Sequence, residues 1–350
     1  MLAPPRDAMT FRVTHMDRSS RFGLLLWAVL LVGLAALPFY GDRQAMRLST
    51  EIYSYIALAS LWNLLAGYAG LVSIGQQVFV GVGGYTLYVG ALSGGLPPLL
   101  CVPLGGLLCG ALAVPIVLLL FRLRGAYFTI GSWVIAELFL QVFQQVREVG
   151  GGSGISLPAS VVKSIAQSRD SREFLIYWLF LGLLVAVIGL IVVILRTRYG
   201  LALTAIRDNE MAAKSNGIDV NRTRLIVFVS AAAATGMAGA LIFLQKLSIT
   251  PFSAFSINDW TMNVIFITVI GGIGRVEGPI VGAIVFFVLR EFLADYGSIY
   301  LVILGVVAIV VMLRARRGIW GYLADRYGWQ LFPLARRLER VVAAPTIAGE

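Results

Sequence analysis

The chain has 350 residues, of which 59% are hydrophobic and only 13% are charged, and its formal net charge is +10. A soluble domain carries about 25% charged residues, so this composition excludes an ordinary soluble enzyme or binding domain. The apolar runs are longer than the alternating strands of about ten residues in a membrane barrel, which favours an α-helical integral membrane protein. Arginines at the ends of these runs account for most of the positive charge, which is typical of a cytoplasmic membrane surface and does not indicate nucleic-acid binding.

Apolar runs follow one another along the chain, and each membrane crossing needs about 20 residues. The first run, residues 22–40, follows a polar tail and is too long for the core of a signal peptide. Further spans are predicted at 50–66, 69–92, 97–121, 126–146, 174–195, 224–246, 260–274, 278–293 and 298–313. The sequence therefore predicts an all-α polytopic bundle of about ten transmembrane helices, in which short spans allow broken or re-entrant helices.

Charge placement predicts the orientation of this bundle. With the N-terminus inside, Arg122 and Arg275 fall in inner loops, whereas the outer loops mix acidic and basic residues. Inner loops of membrane proteins are enriched in Lys and Arg. We therefore expect an even number of spans within a transmembrane domain at 22–313. Both tails, at 1–21 and 314–350, are expected in the cytoplasm, the second along the membrane interface.

A polar stretch at 196–224 interrupts the apolar runs and carries six basic residues. Its centre, 201–215, has no Gly or Pro and is rich in residues that favour helix. Gly217 stands where a helix C-terminus favours glycine. We predict one short amphipathic helix here, on the cytoplasmic face, that docks to a soluble partner.

Glycines cluster in two segments, at 67–84 and at 271–282. One interpretation is structural, because small residues allow transmembrane helices to approach each other closely. The other is that both segments are interrupted helices that line a transport path. Each segment follows or overlaps a predicted span that contains an asparagine, Asn63 or Asn263. On the second interpretation, the candidate path residues are Asn63, before the first cluster, and Gly67, Gly70 and Gln76 within it.

Glu137 is a carboxylate predicted near the middle of a span, where such a group is costly unless it is shielded. Gln141, Gln144 and Glu148 follow it at helical spacing, so that a polar stripe runs along an apolar helix. The stripe either lines a path for a polar solute or forms a buried hydrogen-bond network between helices. Both interpretations stay open, and Glu137 and Gln141 are candidate path residues on the first.

The sequence offers no motif for covalent chemistry. It contains no phosphate-binding G-x-x-x-x-G-K-[ST] loop, so we expect no ATPase site in this chain. The single histidine, His15, and two cysteines, Cys101 and Cys109, do not suggest a metal site. We expect neither a catalytic residue nor a bound cofactor or metal.

Five segments, taken in order, resemble one family: the inner-membrane permease subunits of bacterial branched-chain amino acid ABC importers, of the LivM type. One glycine-rich match would be a weak signal, but five in the same order are specific. The segments are residues 67–86, 124–137, 150–156, 199–218 and 271–283.

The resemblance implies that 199–218 is this family's form of the coupling motif of ABC importers. In that motif Glu-Ala-Ala is followed, after three further residues, by Gly. Ala212, Ala213 and Gly217 keep this spacing, whereas Met211 stands at the glutamate position. The residues that the resemblance assigns to coupling with the ATPase are Arg207, Glu210, Ala212, Ala213 and Gly217.

The resemblance also implies partners and a location. They are a second related permease subunit, two ABC ATPase subunits that bind the ATP, a periplasmic substrate-binding protein and the lipids of a bacterial inner membrane. The expected substrates are branched-chain amino acids or related small polar solutes, such as other amino acids, amides or urea. The alternative function is a stand-alone channel or ion-coupled carrier, which would transport solute without an ATPase.

Overall fold

The computed structural model describes residues 10–14, 18–293, 299–315, 317–327, 331–332 and 337–341. The first half of the described chain contains β1 (Thr10–Thr14), α1 (Arg18–Tyr40), α2 (Arg43–Asn63), a π-helical turn (Leu64–Tyr68), α3 (Gln76–Leu92), α4 (Pro98–Leu120), α5 (Ala126–Gln145), two 3-10 turns (Arg147–Val149 and Gly151–Ser153), β2 (Ile155–Ser156) and α6 (Ala159–Ile165). The second half contains α7 (Arg169–Arg196), α8 (Arg198–Asp208), α9 (Glu210–Ser215), α10 (Val220–Lys246), β3 (Ser248–Ile249), α11 (Pro251–Ala254), a second π-helical turn (Ile257–Met262), α12 (Asn263–Gly271), α13 (Gly278–Leu293), α14 (Ile299–Arg314), α15 (Gly318–Tyr327) and β4 (Arg337–Val341).

Five helical segments of the described chain are long and apolar enough to cross a membrane. They are Pro98–Leu120, Ala126–Gln145, Arg169–Arg196, Val220–Lys246 and Pro251–Gly271. The chain is thus an all-α integral membrane protein, with two short two-stranded sheets. The other predicted spans also lie on helices, but α13 and α14 have 16 residues each, fewer than the about 20 of a full crossing. The count of ten spans stays a prediction.

The helix α10 lies at the centre of the bundle, packed against α3 and α4. Close approach of these helices depends on glycine. A Cβ atom added to Gly83 of α3 would lie 2.0 Å from the carbonyl oxygen of Gly236, and one added to Gly239 would lie 2.2 Å from that of Val80. Because lipid tails supply no hydrophobic force between helices, such tight packing is a main source of their attraction. This part of the first glycine cluster therefore serves packing.

The predicted span 69–92 begins later than its hydrophobicity suggests. The helix α2 passes into the π-helical turn, residues 69–75 are not helical, and α3 begins at Gln76. Gly70 adopts a φ of 68°, a left-handed conformation that favours glycine and stops a helix. An interrupted helix is thus observed at this point of the chain, as the glycine pattern allowed.

The prediction of one helix over 201–215 was wrong, because the structure contains two helices, α8 and α9. They are separated by Asn209, whose backbone is extended with φ −158° and ψ 104°. The Asn209 side chain accepts a hydrogen bond of 3.0 Å from the backbone N–H of Ala212 and so caps the start of α9. Asn is among the residues that most favour this N-cap position, and here that preference outweighs the helix propensity around it.

The two predicted tails contact each other. Strand β1 pairs antiparallel with β4, which brings residues 10–14 against residues 337–341. The helix α1 begins at Arg18, inside the predicted N-terminal tail, because its polar first turn continues the apolar helix. Other parts of the predicted tails lie outside the described residues, namely 1–9, 15–17 with His15, 316, 328–330, 333–336 and 342–350.

The bundle has two ends that matter for function. We call "loop end" the end that carries α8, α9, the start of α10 and the non-helical segments 69–75 and 272–277. We call "cavity end" the opposite end, which carries the starts of α2 and α7 and the end of α10. At the cavity end, β2 pairs with β3 and so ties the segment after α5 to the segment after α10.

Candidate functional site

The loop between α7 and α10 is built from capped short helices. Thr197 caps α8, and Asp219 caps α10 by accepting a hydrogen bond of 3.0 Å from the backbone N–H of Arg222. Ile206 of α8 and Val220 of α10 enclose Ala213 of α9 in a small apolar cluster. These contacts fix α9 on α8, so the two helices form one compact element at the loop end.

The predicted coupling residues occupy different positions on this element. Ala213 is only 2% exposed and packs α9 against Ile206 and Val220. Ala212, Gly217 and Arg207 are exposed. Met211, which was not among the predicted coupling residues, is 75% exposed and is the most prominent apolar side chain of α9. Its place at the motif's glutamate position was the sequence signal that could have identified it.

Glu210 is the charged centre of the element. It accepts hydrogen bonds from Lys214, at 2.7 Å, and from Arg224 at the start of α10, at 3.0 Å. The hydrogen bond from Lys214, assisted by Arg224, holds the pKa of the Glu210 carboxyl below its ordinary value. Glu210 is therefore ionised at neutral pH and ties α9 to α10.

Two arginines connect this element to the interrupted helix. Arg207 donates a hydrogen bond of 3.4 Å to the carbonyl oxygen of Gly67, and Arg224 donates one of 3.2 Å to that of Ala69. Both acceptors lie where α2 ends and the chain turns toward α3. Helix ends leave carbonyl groups without partners inside the helix, and these arginines satisfy two of them. The predicted coupling element and the predicted path glycines are thus in direct contact.

Asn63 joins the two glycine clusters. Its Oδ1 accepts a hydrogen bond of 2.8 Å from the backbone N–H of Gly274, and its Nδ2 donates one of 2.8 Å to the carbonyl oxygen of Arg275. A Cβ atom on Gly67 would lie 2.5 Å from the Gly274 nitrogen, so only glycine allows this approach. Asn63 is 2% exposed. In this conformation it links two helix ends and faces no open space.

Gln76, another predicted path residue, is also buried. Its Nε2 donates a hydrogen bond of 3.0 Å to the carbonyl oxygen of Leu58 and a longer one, 3.4 Å, to Thr235. It therefore bridges α2, α3 and α10 at the first turn of α3. Gly70, by contrast, is exposed at the loop end.

The segment 272–277 is held by the C-terminal region. Arg275 and Arg317 both form ion pairs with Asp325 of α15, which hold the pKa of that carboxyl below its ordinary value. Glu277 accepts hydrogen bonds from the backbone N–H groups of Leu331 and Phe332, at 3.2 Å and 3.1 Å. The loop end is thus covered on one side by the end of the chain.

The polar stripe of α5 lies on the outside of this chain. Glu137 and Gln141 are exposed and hydrogen-bonded to each other, with 3.2 Å between Gln141 Nε2 and Glu137 Oε1. Apolar side chains beside them are exposed as well, among them Val134 at 57% and Leu138 at 56%. The structure therefore rules out a buried network within this chain as the explanation of the stripe.

The opposite side of α5 is anchored to the interrupted helix. Ser132 accepts a hydrogen bond of 2.9 Å from the backbone N–H of Ile74, and Thr129 donates one of 2.8 Å to the carbonyl oxygen of Val72. A Cβ atom on Gly75 would lie 2.5 Å from the carbonyl oxygen of Ser132. The coupling element, the segment 69–75 and α5 are therefore linked by consecutive contacts.

Sequence comparisons identify the family. The family model described as branched-chain amino acid transport system / permease component matches residues 45–313. The chain belongs to this family. It is therefore related to transport permeases, and the coupling element, the interrupted helix and α5 all lie within the matched region.

Individual relatives are also named as permeases. The chain is 29% identical over 331 residues to the high-affinity branched-chain amino acid transport system permease protein LivM of Salmonella typhimurium, which covers 88% of this chain and 77% of that relative. It is 28% identical over 132 residues to the probable branched-chain amino acid transport permease protein LivH of Methanocaldococcus jannaschii, covering 36% of this chain and 40% of that relative. The ribose import permease protein RbsC of Bacillus subtilis is 26% identical over 304 residues, covering 75% of this chain and 87% of that relative. No solved structure matches the chain.

Proposed function

We propose that this chain is a LivM-type permease subunit of an ABC importer, which moves branched-chain amino acids or related small polar solutes into the cytoplasm. The observation that carries the proposal is the coupling element, α8 and α9, which contacts the interrupted helix directly through Arg207 and indirectly through Arg224 of α10, the partner of Glu210. The family match and the relatives named LivM support the class of transporter and the class of solute.

In this proposal α9 docks to an ATPase subunit. Its exposed side chains, Met211 and Ala212, and the adjacent Gly217 form the contact, while the buried Ala213 keeps α9 in place. When the ATPase moves α9, the two arginines pull on the carbonyl oxygens of Gly67 and Ala69. A shift at one element is thereby transmitted to a helix that is already interrupted and needs few new dihedral changes to move.

The solute path in this proposal runs along α5, between this chain and the second permease subunit. An exposed carboxylate and amide are costly against lipid, so another protein surface or a water-filled path is expected to cover Glu137 and Gln141. The segment 69–75 contacts α5 through Ile74 and Gly75, and through Ala69 it contacts Arg224 of α10, which is paired with Glu210 of the coupling element. In this proposal, movement of α9 is therefore transmitted through the segment 69–75 to α5, which lines the solute path.

The loop end faces the cytoplasm in this proposal, because six of the chain's basic residues lie within 196–224. Ten spans then put both termini in the cytoplasm of a bacterial cell, with the chain in the inner membrane. Two ABC ATPase subunits bind the ATP, and a periplasmic binding protein delivers solute at the cavity end. The chain itself binds no cofactor and carries out no covalent step.

Reconstituted transport tests this function. The chain is purified with its co-purifying subunits, placed in proteoliposomes, and assayed for uptake of radiolabelled leucine or ribose with the associated binding protein. The expected result is leucine uptake that requires both ATP and the binding protein. Uptake that proceeds without ATP would show a channel or carrier, and uptake of ribose alone would overturn the proposed class of solute.

A further inference from the structure

A large cavity opens at the cavity end, inside this single chain. Its volume is about 1200 Å³, above the range of about 300–1,000 Å³ that is usual for small-molecule pockets. The walls come from α2, the start of α7, the end of α10, the second π-helical turn and the end of α13. Neither α5 nor the coupling element contributes a residue. The cavity is therefore separate from the path proposed along α5.

Most of the charged side chains that line this cavity form ion pairs with each other or with neighbouring residues. Arg290 forms an ion pair of 2.6 Å with Glu51, and Glu173 accepts hydrogen bonds from Arg47. These pairs fix the charge of the walls. The basic residues that line the cavity are Arg43, Arg47, Arg169, Arg172, Lys246 and Arg290, and the acidic ones are Glu51, Glu173, Asp259 and Glu291.

Lys246 lines the same cavity without an ion pair to any described residue. Its Nζ lies 4.8 Å from the centre of the Trp260 ring and 5.6 Å from that of Phe243. Such cation–π contacts hold an ammonium group in position but use none of its three hydrogen-bond donors. Lys246 is therefore positioned to bind an anion that enters the cavity.

Asp259 precedes Trp260 and supplies the opposite charge. Its carbonyl oxygen accepts hydrogen bonds from Tyr55, at 2.8 Å, and from Asn263, at 3.3 Å, so its backbone is fixed. Its side chain is exposed, lines the cavity, and forms no ion pair with any residue that the structure describes. The cavity thus presents an ammonium over the Trp260 ring and a carboxylate on the residue before Trp260, neither of them in an ion pair with a described residue. Arg172 and Glu291 also line the cavity and likewise form no ion pair with a described residue.

An aromatic wall completes the site. The Tyr55 ring lies 6.2 Å from that of Trp260 and 6.0 Å from that of Phe286. All three side chains line the cavity, and Ile242 lies beside them. This aromatic wall is the apolar part of a cavity whose other lining residues are mostly charged or polar.

We propose that this cavity binds a zwitterionic amino acid with an apolar side chain. Lys246 binds the carboxylate, Asp259 binds the ammonium group, and Tyr55, Trp260 and Phe286 contact the side chain. All the residues of this site belong to one permease subunit, so the site is expected to bind the amino acid in the absence of the ATPases and of the second permease subunit. The choice of an amino acid among zwitterions rests on the proposed function. A zwitterionic phospholipid headgroup carries the same two charged groups, so the test must distinguish binding of an amino acid from binding of a lipid.

Binding is measured on the full chain in nanodiscs of phosphatidylglycerol, a lipid whose headgroup carries no ammonium. The probes are L-leucine, 4-methylpentanoate, which lacks the ammonium group, and 3-methylbutylamine, which lacks the carboxylate. We expect leucine to bind at least about tenfold more tightly than either analogue, because each analogue loses one charge-assisted contact. This comparison uses the unaltered chain and does not depend on the folding of any variant.

Two variants assign the charges. Lys246→Gln is expected to weaken leucine binding about tenfold and to leave the binding of 3-methylbutylamine unchanged. Asp259→Asn is expected to weaken leucine about as much and to leave 4-methylpentanoate unchanged. Lys163→Gln is the matched control, since Lys163 is exposed and does not line the cavity.

Several outcomes would overturn the proposal. They are equal binding of the three probes, no binding to a chain that stays folded and monodisperse, or leucine binding that neither variant alters. Retention of phosphatidylethanolamine in native mass spectra, with no displacement by leucine, would show a lipid site instead. Because this assay measures binding and not transport, its failure is distinct from failure of ATP-driven uptake.

Discussion

Arg224 and Glu210 form an ion pair, with 3.0 Å between Arg224 Nη1 and Glu210 Oε2. The same guanidinium donates a hydrogen bond through its Nε to the carbonyl oxygen of Ala69. Only 17% of the Arg224 side chain is exposed, so solvent screens these contacts less than it would at an open surface. One side chain therefore connects the predicted docking helix α9 with the interrupted helix.

Replacing this side chain tests whether the connection transmits movement. We expect Arg224→Met to reduce ATP-driven uptake per assembled complex about tenfold, which corresponds to about 1.4 kcal/mol of lost coupling. The matched control is Arg222→Met, because Arg222 is exposed on the same helix and forms no ion pair with any described residue. Equal uptake by the two variants would show that the contact is only structural.

The pH dependence of the same contact has a definite sign. The pKa of Glu210 is lowered in the folded chain, so its ionised form stabilises the fold at pH above the unfolded pKa near 4.5. This contribution is lost as the pH falls through the lower folded pKa. We expect Glu210→Gln to lower the thermal unfolding temperature at neutral pH, and we expect this difference to disappear as the pH falls through the folded pKa of Glu210. Glu148→Gln, at an exposed position, is the control. A difference that grows on acidification would contradict the assignment.

Asn63 separates the two interpretations of the glycine clusters. Asn63→Leu keeps the approximate size of the side chain but leaves the N–H of Gly274 and the carbonyl of Arg275 without their partner. A buried group left unpaired costs about 1–3 kcal/mol, so we expect a clear fall in the unfolding temperature. Asn258→Leu is the control, since Asn258 is exposed in the second π-helical turn. Unchanged stability with lost transport would instead place Asn63 in the path.

Which features the sequence could predict depends on the range of the interaction. Apolar runs fix helices locally, so α4, α5 and α13 were placed within about one residue of their observed bounds. The break at Asn209 was missed, because a capping side chain outweighed a helix-forming composition. The contact of Arg224 with Ala69 and that of Asn63 with Gly274 could not be predicted, because they join residues far apart in sequence. Their residue types were notable, but their partners depend on the packing of the whole bundle.

The exposed position of Glu137 leads to a prediction about stability and transport together. Because the side chain is exposed and its only hydrogen bond among the described residues is the one from Gln141, Glu137→Leu should change the unfolding free energy of the isolated chain by less than about 0.5 kcal/mol. Uptake by the assembled importer should fall, because an apolar side chain replaces a charged one in the proposed path. Glu137→Gln removes the charge but keeps a polar side chain, so comparing its uptake with that of Glu137→Leu separates the effect of the charge from that of polarity. Unfolding of Glu137→Leu before assembly would indicate a structural role.

Gly217 tests the docking surface itself. A Cβ atom at this position would meet no atom within 4 Å, so a large side chain would project outward from the coupling element. The φ of 79° strains any L-residue by about 1–2 kcal/mol, and this strain must be separated from bulk. Gly217→Ala carries the strain without the bulk and is therefore the matched control. We expect Gly217→Trp to insert into the membrane normally but to lose co-purification with the ATPase and ATP-driven uptake, whereas Gly217→Ala keeps both. If the two variants lose uptake equally, the backbone conformation and not the docking surface is what the position requires.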